Sequence, residues 1–190
     1  MLIELSGSNE AHDMEKLEGF LENIMEEGAV VDGTIAQDQT QSHGIWRIRE
    51  GVTEALSKSG AVYKYDVAIP LSELYDLCDV MRERLEPLGA KVTGFGHLGD
   101  GNLHLNIYTP DEFEKTPAVI EAIEPFVFEW IRDRRGSISA EHGIGAMKPG
   151  FLHMSKSASM INVMQGIKQM LDPNNILNPG KVLPATRPLR

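Results

Sequence analysis

From Asp13 onward, apolar residues recur every three or four positions: Met14, Leu17, Phe20 or Leu21, and Ile24 or Met25, up to Gly28. That spacing matches the turn of a helix with one buried face. On either side, residues 1–6 and 29–34 are short apolar stretches next to turn-forming residues, and each predicts a strand. A second amphipathic helix is predicted from about Ser42 to Ser59, with Ile45, Ile48, Val52 and Leu56 as its stripe and Gly60 as its stop. A strand over 61–69 follows. After Pro70, the stripe Leu71, Leu74, Leu77 or Cys78, Met81 and Leu85 predicts a third helix, which Pro87 and Gly89 end.

The next pattern has period two. Residues 91–99 run into Asp100-Gly101, a favoured type I′ turn pair, and the chain returns as Asn-Leu-His-Leu-Asn-Ile-Tyr. With Asp100 and Gly101 at the turn centre, Leu98 pairs with Leu103 and His97 with His104. Both imidazoles then share a face with Asn106, while the leucines take the other face. Beyond the hairpin, Thr116-Pro117 opens a helix that runs to Trp130 or Ile131 with a bend near Pro125. A glycine-rich segment, Gly136-Ser-Ile-Ser-Ala-Glu-His-Gly-Ile-Gly, precedes a last helix from about Ala158 to Met170, with Ser157 as its N-cap. Residues 172–190 are rich in proline and asparagine at their start and are expected to form an extended docking tail. The whole predicts a single α+β domain over 1–190, an antiparallel or mixed sheet with helices mainly on one face.

Composition narrows the partners. The 190 residues are 42% hydrophobic and 24% charged, as in an ordinary globular chain. With 18 Lys and Arg against 28 Asp and Glu, the net charge of −10 argues against nucleic acid as a partner. No apolar run approaches the roughly 20 residues of a membrane span. The opening residues read neither as a signal peptide nor as an Arg-rich transit segment. The lone cysteine, Cys78, excludes an internal disulfide framework.

Candidate chemistry collects at two places. His97 and His104, paired across a hairpin, suit a borderline metal ion, or they simply hydrogen-bond on a sheet face. Glu141 and His142 lie among glycines that let backbone approach a ligand. Glu141 would complete a His, His, Glu set with an open position; the alternative is an exposed polar turn. Arg47, Arg49 and Lys64 are either solvated surface charges or, if they converge on a metal, carboxylate contacts. The glycines of 94–101 have neither a following helix nor nucleotide-loop spacing.

Three segments together resemble the C-terminal half of FAD-linked 2-hydroxy acid dehydrogenases: Gly-Phe-Gly-His97-Leu-Gly-Asp-Gly-Asn-Leu-His104-Leu-Asn106, Ser-Ala-Glu141-His142-Gly-Ile-Gly, and Leu-Asp-Pro-Asn-Asn-Ile-Leu-Asn178-Pro-Gly-Lys181. Within that family, Trp46-Arg-Ile-Arg49-Glu50, Thr53 and Tyr63-Lys64-Tyr65-Asp66 resemble the branch that acts on (R)-2-hydroxyglutarate. The resemblance implies a ferredoxin-like cap fold and a divalent metal, commonly zinc, on His97, His104 and Glu141. It implies substrate contacts from Arg49, Thr53, Lys64 and Asn106, with Arg and Lys meeting the two carboxylates of a dianion. His142 would take the hydroxyl proton while the C2 hydrogen leaves as hydride to flavin N5. Asn178 and Lys181 would approach FAD.

The family's N-terminal FAD-binding domain has no counterpart in these residues, and an apolar residue is expected where Arg47 stands. The resemblance therefore implies the substrate- and metal-binding half of an enzyme that oxidises (R)-2-hydroxyglutarate to 2-oxoglutarate, inactive by itself. Its flavin domain normally lies in the same chain, and it passes electrons to an acceptor such as an electron-transfer flavoprotein. The implied location is mitochondrial, or cytoplasmic for a bacterial chain or one without an upstream transit peptide. The alternatives are a D-lactate or glycolate dehydrogenase fragment, and a non-catalytic metal-binding or interaction module.

Overall fold

The computed structural model describes residues 1–184, which form two compact units, Met1–Ala55 and a second from Leu56 onward. In the first, α1 (Glu10–Glu26) starts at Asn9, whose side chain accepts a hydrogen bond from the His12 backbone N–H at 3.2 Å. The second helix, α2 (Gln39–Ser59), begins after Asp38, whose carboxylate accepts from the Gln41 N–H at 2.8 Å. Both helices lie where the apolar period puts them. The strands expected at 1–6 and 29–34 do not form: neither segment joins a ladder. A strand needs a partner to satisfy its backbone, and the apolar side chains here have another use. Leu2, Ile3, Leu17, Leu21, Val30 and Ile45 line a cleft of about 470 Å³ inside this unit. The Trp46 indole N–H donates to Glu4 at 2.8 Å. No residue of this unit is fully buried.

The second unit is an α+β sandwich built on a three-stranded antiparallel sheet, β1 (Gly60–Ala68), β2 (Lys91–His97) and β3 (Asn102–Pro110), in the order β1-β3-β2. Because β1 and β2 both run antiparallel to β3, they are parallel to each other, and α3 (Asp76–Leu85) supplies the crossover between them. A separate short turn at Leu71–Glu73 precedes α3 where one continuous helix is expected. The remaining helices are α4 (Pro117–Ile123), α5 (Phe126–Asp133) and α6 (Ala158–Leu171). Ser157 caps α6 by accepting from the Met160 N–H at 3.3 Å.

The core lies on one face of this sheet. Tyr63, Tyr65 and Val67 of β1 and Leu103, Leu105 and Ile107 of β3 meet Leu77, Met81 and Leu85 of α3, with Ile123 and Phe128 closing the layer. Cys78 is fully buried here, and burial pushes its thiol up to about 11. The alternate residues of the same strands, Lys64 and Asp66 on β1 and Asn102, His104 and Asn106 on β3, share the opposite face. Helices on one side leave that polar side for chemistry.

The hairpin register differs from the expected one. Leu98–Asp100 form a short helical turn and Gly101 adopts φ 71°, so the connection is wider than a two-residue turn. His97 lies opposite Asn102, and Phe95, not His97, lies opposite His104. The reason lies outside the hairpin. The Ile69 N–H, just past β1, donates to the Gly101 carbonyl at 2.9 Å, and a Cβ on Gly101 would strike the Ile69 carbonyl. A slip of two residues preserves strand parity, so His97 and His104 stay on one face as diagonal neighbours, ring centroids 5.9 Å apart. Among the described residues, no helix is long and apolar enough to cross a membrane.

At Gly94, on the core side of β2, an added Cβ would run into the Cys78 sulfur and close on Leu103 at 3.1 Å. Gly94→Ala is expected to cost about 1–3 kcal/mol in urea unfolding. Part of that loss should return in a Cys78→Ala background, because the substitution removes the obstructing sulfur.

Candidate metal and substrate site

Two backbone connections bring the site together. Ser137 bridges Ala68 at the end of β1, with N–H to O distances of 2.8 and 3.0 Å, so the glycine-rich segment runs beside the sheet. Asp66, opposite His104 in the β1/β3 ladder, then grips that segment. Its Oδ2 accepts the backbone N–H groups of Ala140 at 3.1 Å, Glu141 at 2.7 Å and His142 at 2.8 Å, and its Oδ1 accepts the Asn102 amide at 2.8 Å. Burial opposes the Asp66 charge. The N–H donors of His142 and Glu141 and the Asn102 amide outweigh it, and the carboxyl is held below its usual range. Asn102 is itself buried, and its Oδ1 has no partner. The side chain is turned so that its N–H₂ serves Asp66, since the flipped amide would set two acceptors against each other.

Glu141 thereby stands between two histidines. Its Oε1 lies 3.5 Å from His97 Nε2 and its Oε2 lies 3.8 Å from His104 Nε2. Two ligands of a tetrahedral zinc, each about 2.0–2.2 Å from the ion, stand about 3.4 Å apart. Each imidazole is near that separation from one oxygen of Glu141, pair by pair. Among the described residues, the group whose donor atoms all lie within 4.8 Å of one another is Asp66, His104, Glu141 and His142, which differs from the expected ligand set in omitting His97, and it could hold a divalent metal. The His142 ring stacks on His104 at 5.7 Å. Burial pushes the His104 imidazole below its ordinary value. The Asp66 and Glu141 carboxylates pull the other way, while His142 and His97 add to the downward shift. The neutral ring, the form that binds metal, is the favoured one. His97 and Glu141 are about half exposed, which leaves the site open to a ligand.

The structure thus brings His97, His104, Glu141 and His142 together. Lys64 and Asn106 face each other across the β1/β3 ladder on the same side of the sheet. Asn106 is buried, and its amide donates to the His104 carbonyl at 3.0 Å. Arg49 and Thr53 stand four residues apart on α2, hence on one helix face, within the first unit. Asn178 and Lys181 lie in the segment after α6, where the Lys181 ammonium donates to the Asn178 side chain at 3.2 Å. They line a cleft of about 310 Å³ with Gln165, Lys168 and Asp172. Asp172 fastens this segment. It pairs with Lys168 and accepts the backbone N–H groups of Ile176 and Leu177 at 3.0 and 2.9 Å.

Asp66 and Asn102 are the residues that sequence reasoning missed. The signal was present for Asp66: in Tyr63-Lys64-Tyr65-Asp66-Val67, strict alternation puts Lys64 and Asp66 on one face of a strand. For Asn102 the expected two-residue turn hid the position, because the observed register is what sets it opposite both His97 and Ala68.

A mitochondrial probable D-2-hydroxyglutarate dehydrogenase of Oryza sativa subsp. indica is 55% identical over 184 residues, covering 97% of this chain and 32% of its own length. The mitochondrial D-2-hydroxyglutarate dehydrogenase of Rattus norvegicus is 49% identical over 185 residues, covering 97% and 34%. A putative mitochondrial D-lactate dehydrogenase of Schizosaccharomyces pombe is 45% identical over 192 residues, covering 95% and 36%. The chain spans about a third of the length of these relatives. The model of the FAD linked oxidases, C-terminal domain, matches residues 1–182, from ahead of α1 through the segment that Asp172 fastens, and the chain belongs to that family.

Proposed function

We propose that this chain is the substrate- and metal-binding part of an FAD-dependent dehydrogenase that oxidises (R)-2-hydroxyglutarate to 2-oxoglutarate. The observation that carries the reading is Glu141 held between His97 and His104 on the polar face of the sheet. Similarity to D-2-hydroxyglutarate dehydrogenases from plants and mammals supports the substrate. The reaction removes the hydroxyl proton and the C2 hydrogen, the latter with its electron pair. When bound, a divalent cation supplies Lewis acidity and FAD supplies the two-electron acceptor.

The chain's own residues have separable tasks on this reading. His97, His104 and Glu141 hold the cation, zinc by the borderline character of the donors. His142 accepts the hydroxyl proton on an imidazole nitrogen. Lys64 and Asn106 bind the substrate from the sheet, Lys64 at the carboxylate that D-lactate lacks, while Arg49 and Thr53 of α2 contact the other carboxylate. Asn178 and Lys181 meet the flavin, which the remaining part of a complete enzyme holds. The names of the relatives support a mitochondrial location, with an electron-transfer flavoprotein as a chemically suitable acceptor. The Schizosaccharomyces pombe relative favours a second reading, oxidation of D-lactate, a substrate with one carboxylate.

The purified chain is expected to take up one equivalent of zinc, read by competition with a chromogenic chelator, and His104→Ala to abolish that uptake. In the chain joined to its flavin domain, His142→Asn should leave the metal in place and lower kcat by about 10²–10⁴-fold. Retained turnover would remove His142 from the chemistry.

Lys64 separates the two substrates. Lys64→Met should lower kcat/KM for (R)-2-hydroxyglutarate about ten- to hundredfold, the loss of one charge-assisted hydrogen bond, and change D-lactate turnover far less. An equal loss for both acids would take the second carboxylate away from Lys64.

A further inference from the structure

We infer that Asp66 is a positioning residue for the metal site: it aims His104 and the segment bearing Glu141 and His142 without itself ligating the ion. This rests on the metal reading of the site proposed above. Although an Asp66 oxygen lies within 4.8 Å of donor atoms of His104, Glu141 and His142, Oδ2 is committed to backbone donors and Oδ1 accepts from Asn102 and faces the far nitrogen of the His104 ring. An ionised carboxylate offers about four lone-pair sites. Three backbone N–H groups converge on Oδ2, the Asn102 amide donates to Oδ1, and His104 Nδ1 lies 3.5 Å from Oδ1. Asp66 is 3% exposed, so solvent does not compete for those sites.

The two ends of the His104 ring divide the work. Nδ1 faces Asp66 at 3.5 Å, and Nε2 faces Glu141 at 3.8 Å. A carboxylate facing Nδ1 favours the proton on that nitrogen electrostatically and leaves Nε2 with a free lone pair, which is what a metal ligand requires. The same carboxylate fixes the backbone from which Glu141 and His142 project. One side chain therefore coordinates a strand residue and a loop segment far apart in sequence. It stands on a sheet, where the β1/β3 ladder sets it directly opposite His104, so the aim does not depend on a flexible connection.

Two measurements on the 190-residue chain test this. Nitrogen-15 NMR of the imidazoles at pH 8 without metal should find His104 as the Nδ1–H tautomer; an Nε2–H tautomer overturns the assignment. Asp66→Asn keeps the shape and one carbonyl oxygen for the three backbone donors, but loses the anion facing His104 Nδ1. It should weaken zinc binding about ten- to hundredfold, with circular dichroism retained and the cobalt(II) absorption spectrum altered. Wild-type affinity and an unchanged cobalt spectrum in Asp66→Asn overturn the positioning role alone. Failure of the wild-type chain to bind zinc or cobalt overturns the metal reading and this inference together. If Asp66→Asn does not fold, the wild-type tautomer decides.

Discussion

Strand β3 is bonded along both edges, and its two faces carry different chemistry. Leu103, Leu105 and Ile107 enter the helical layer, while Asn102, His104 and Asn106 face away from it. A strand in the middle of a sheet cannot slip by one residue without exchanging these sets, which would bury an imidazole and two amides among leucines and set three apolar side chains against the charged and polar groups of the other face. Core packing and site geometry are thus the same constraint seen from two sides. Burying Leu105 against α3 is what turns His104 toward Asp66 and Glu141.

That coupling explains what was legible in the sequence. Side-chain parity along 102–108 is written in the alternation itself, so the shared face of His97, His104 and Asn106 follows from any hairpin whose register differs by an even number of residues. The register was not legible. Asp100-Gly101 favours a tight turn locally, yet the Ile69 N–H captures the Gly101 carbonyl and widens the connection, a contact between segments about thirty residues apart. Asp66 lies between these cases: its face could be read from alternation, but its grip on residues 140–142 depends on the Ala68 to Ser137 bridge, which no local pattern announces.

The first unit shows the other limit. Helices α1 and α2 satisfy their own backbone and formed where the apolar period indicated, whereas a strand's hydrogen bonds are made by another segment. Residues 1–6 and 29–34 have strand-like composition and no ladder, and their apolar side chains line a cleft instead. Period alone does not distinguish a strand from an extended segment lying against helices. Arg49 and Thr53 on α2 owe their place among the proposed substrate contacts to family resemblance, since nothing in helical spacing separates them from surface residues.

Charge sets the last requirement on the proposed reading. A chain with net charge −10 would seem a poor host for a dianionic acid. At physiological ionic strength, however, exposed charges beyond about 8 Å are largely screened, so only groups around the polar face decide. There, Asp66 and Glu141 bring two carboxylates to His104, Lys64 lies two positions from Asp66 on the same face of β1, and the Asp66 charge also favours the Lys148 ammonium. On the proposed reading, a divalent cation would balance those carboxylates and leave the Lys64 charge for a substrate carboxylate. The ion then contributes to substrate docking as well as to the chemistry at C2, so a chelated site would lose affinity as well as rate.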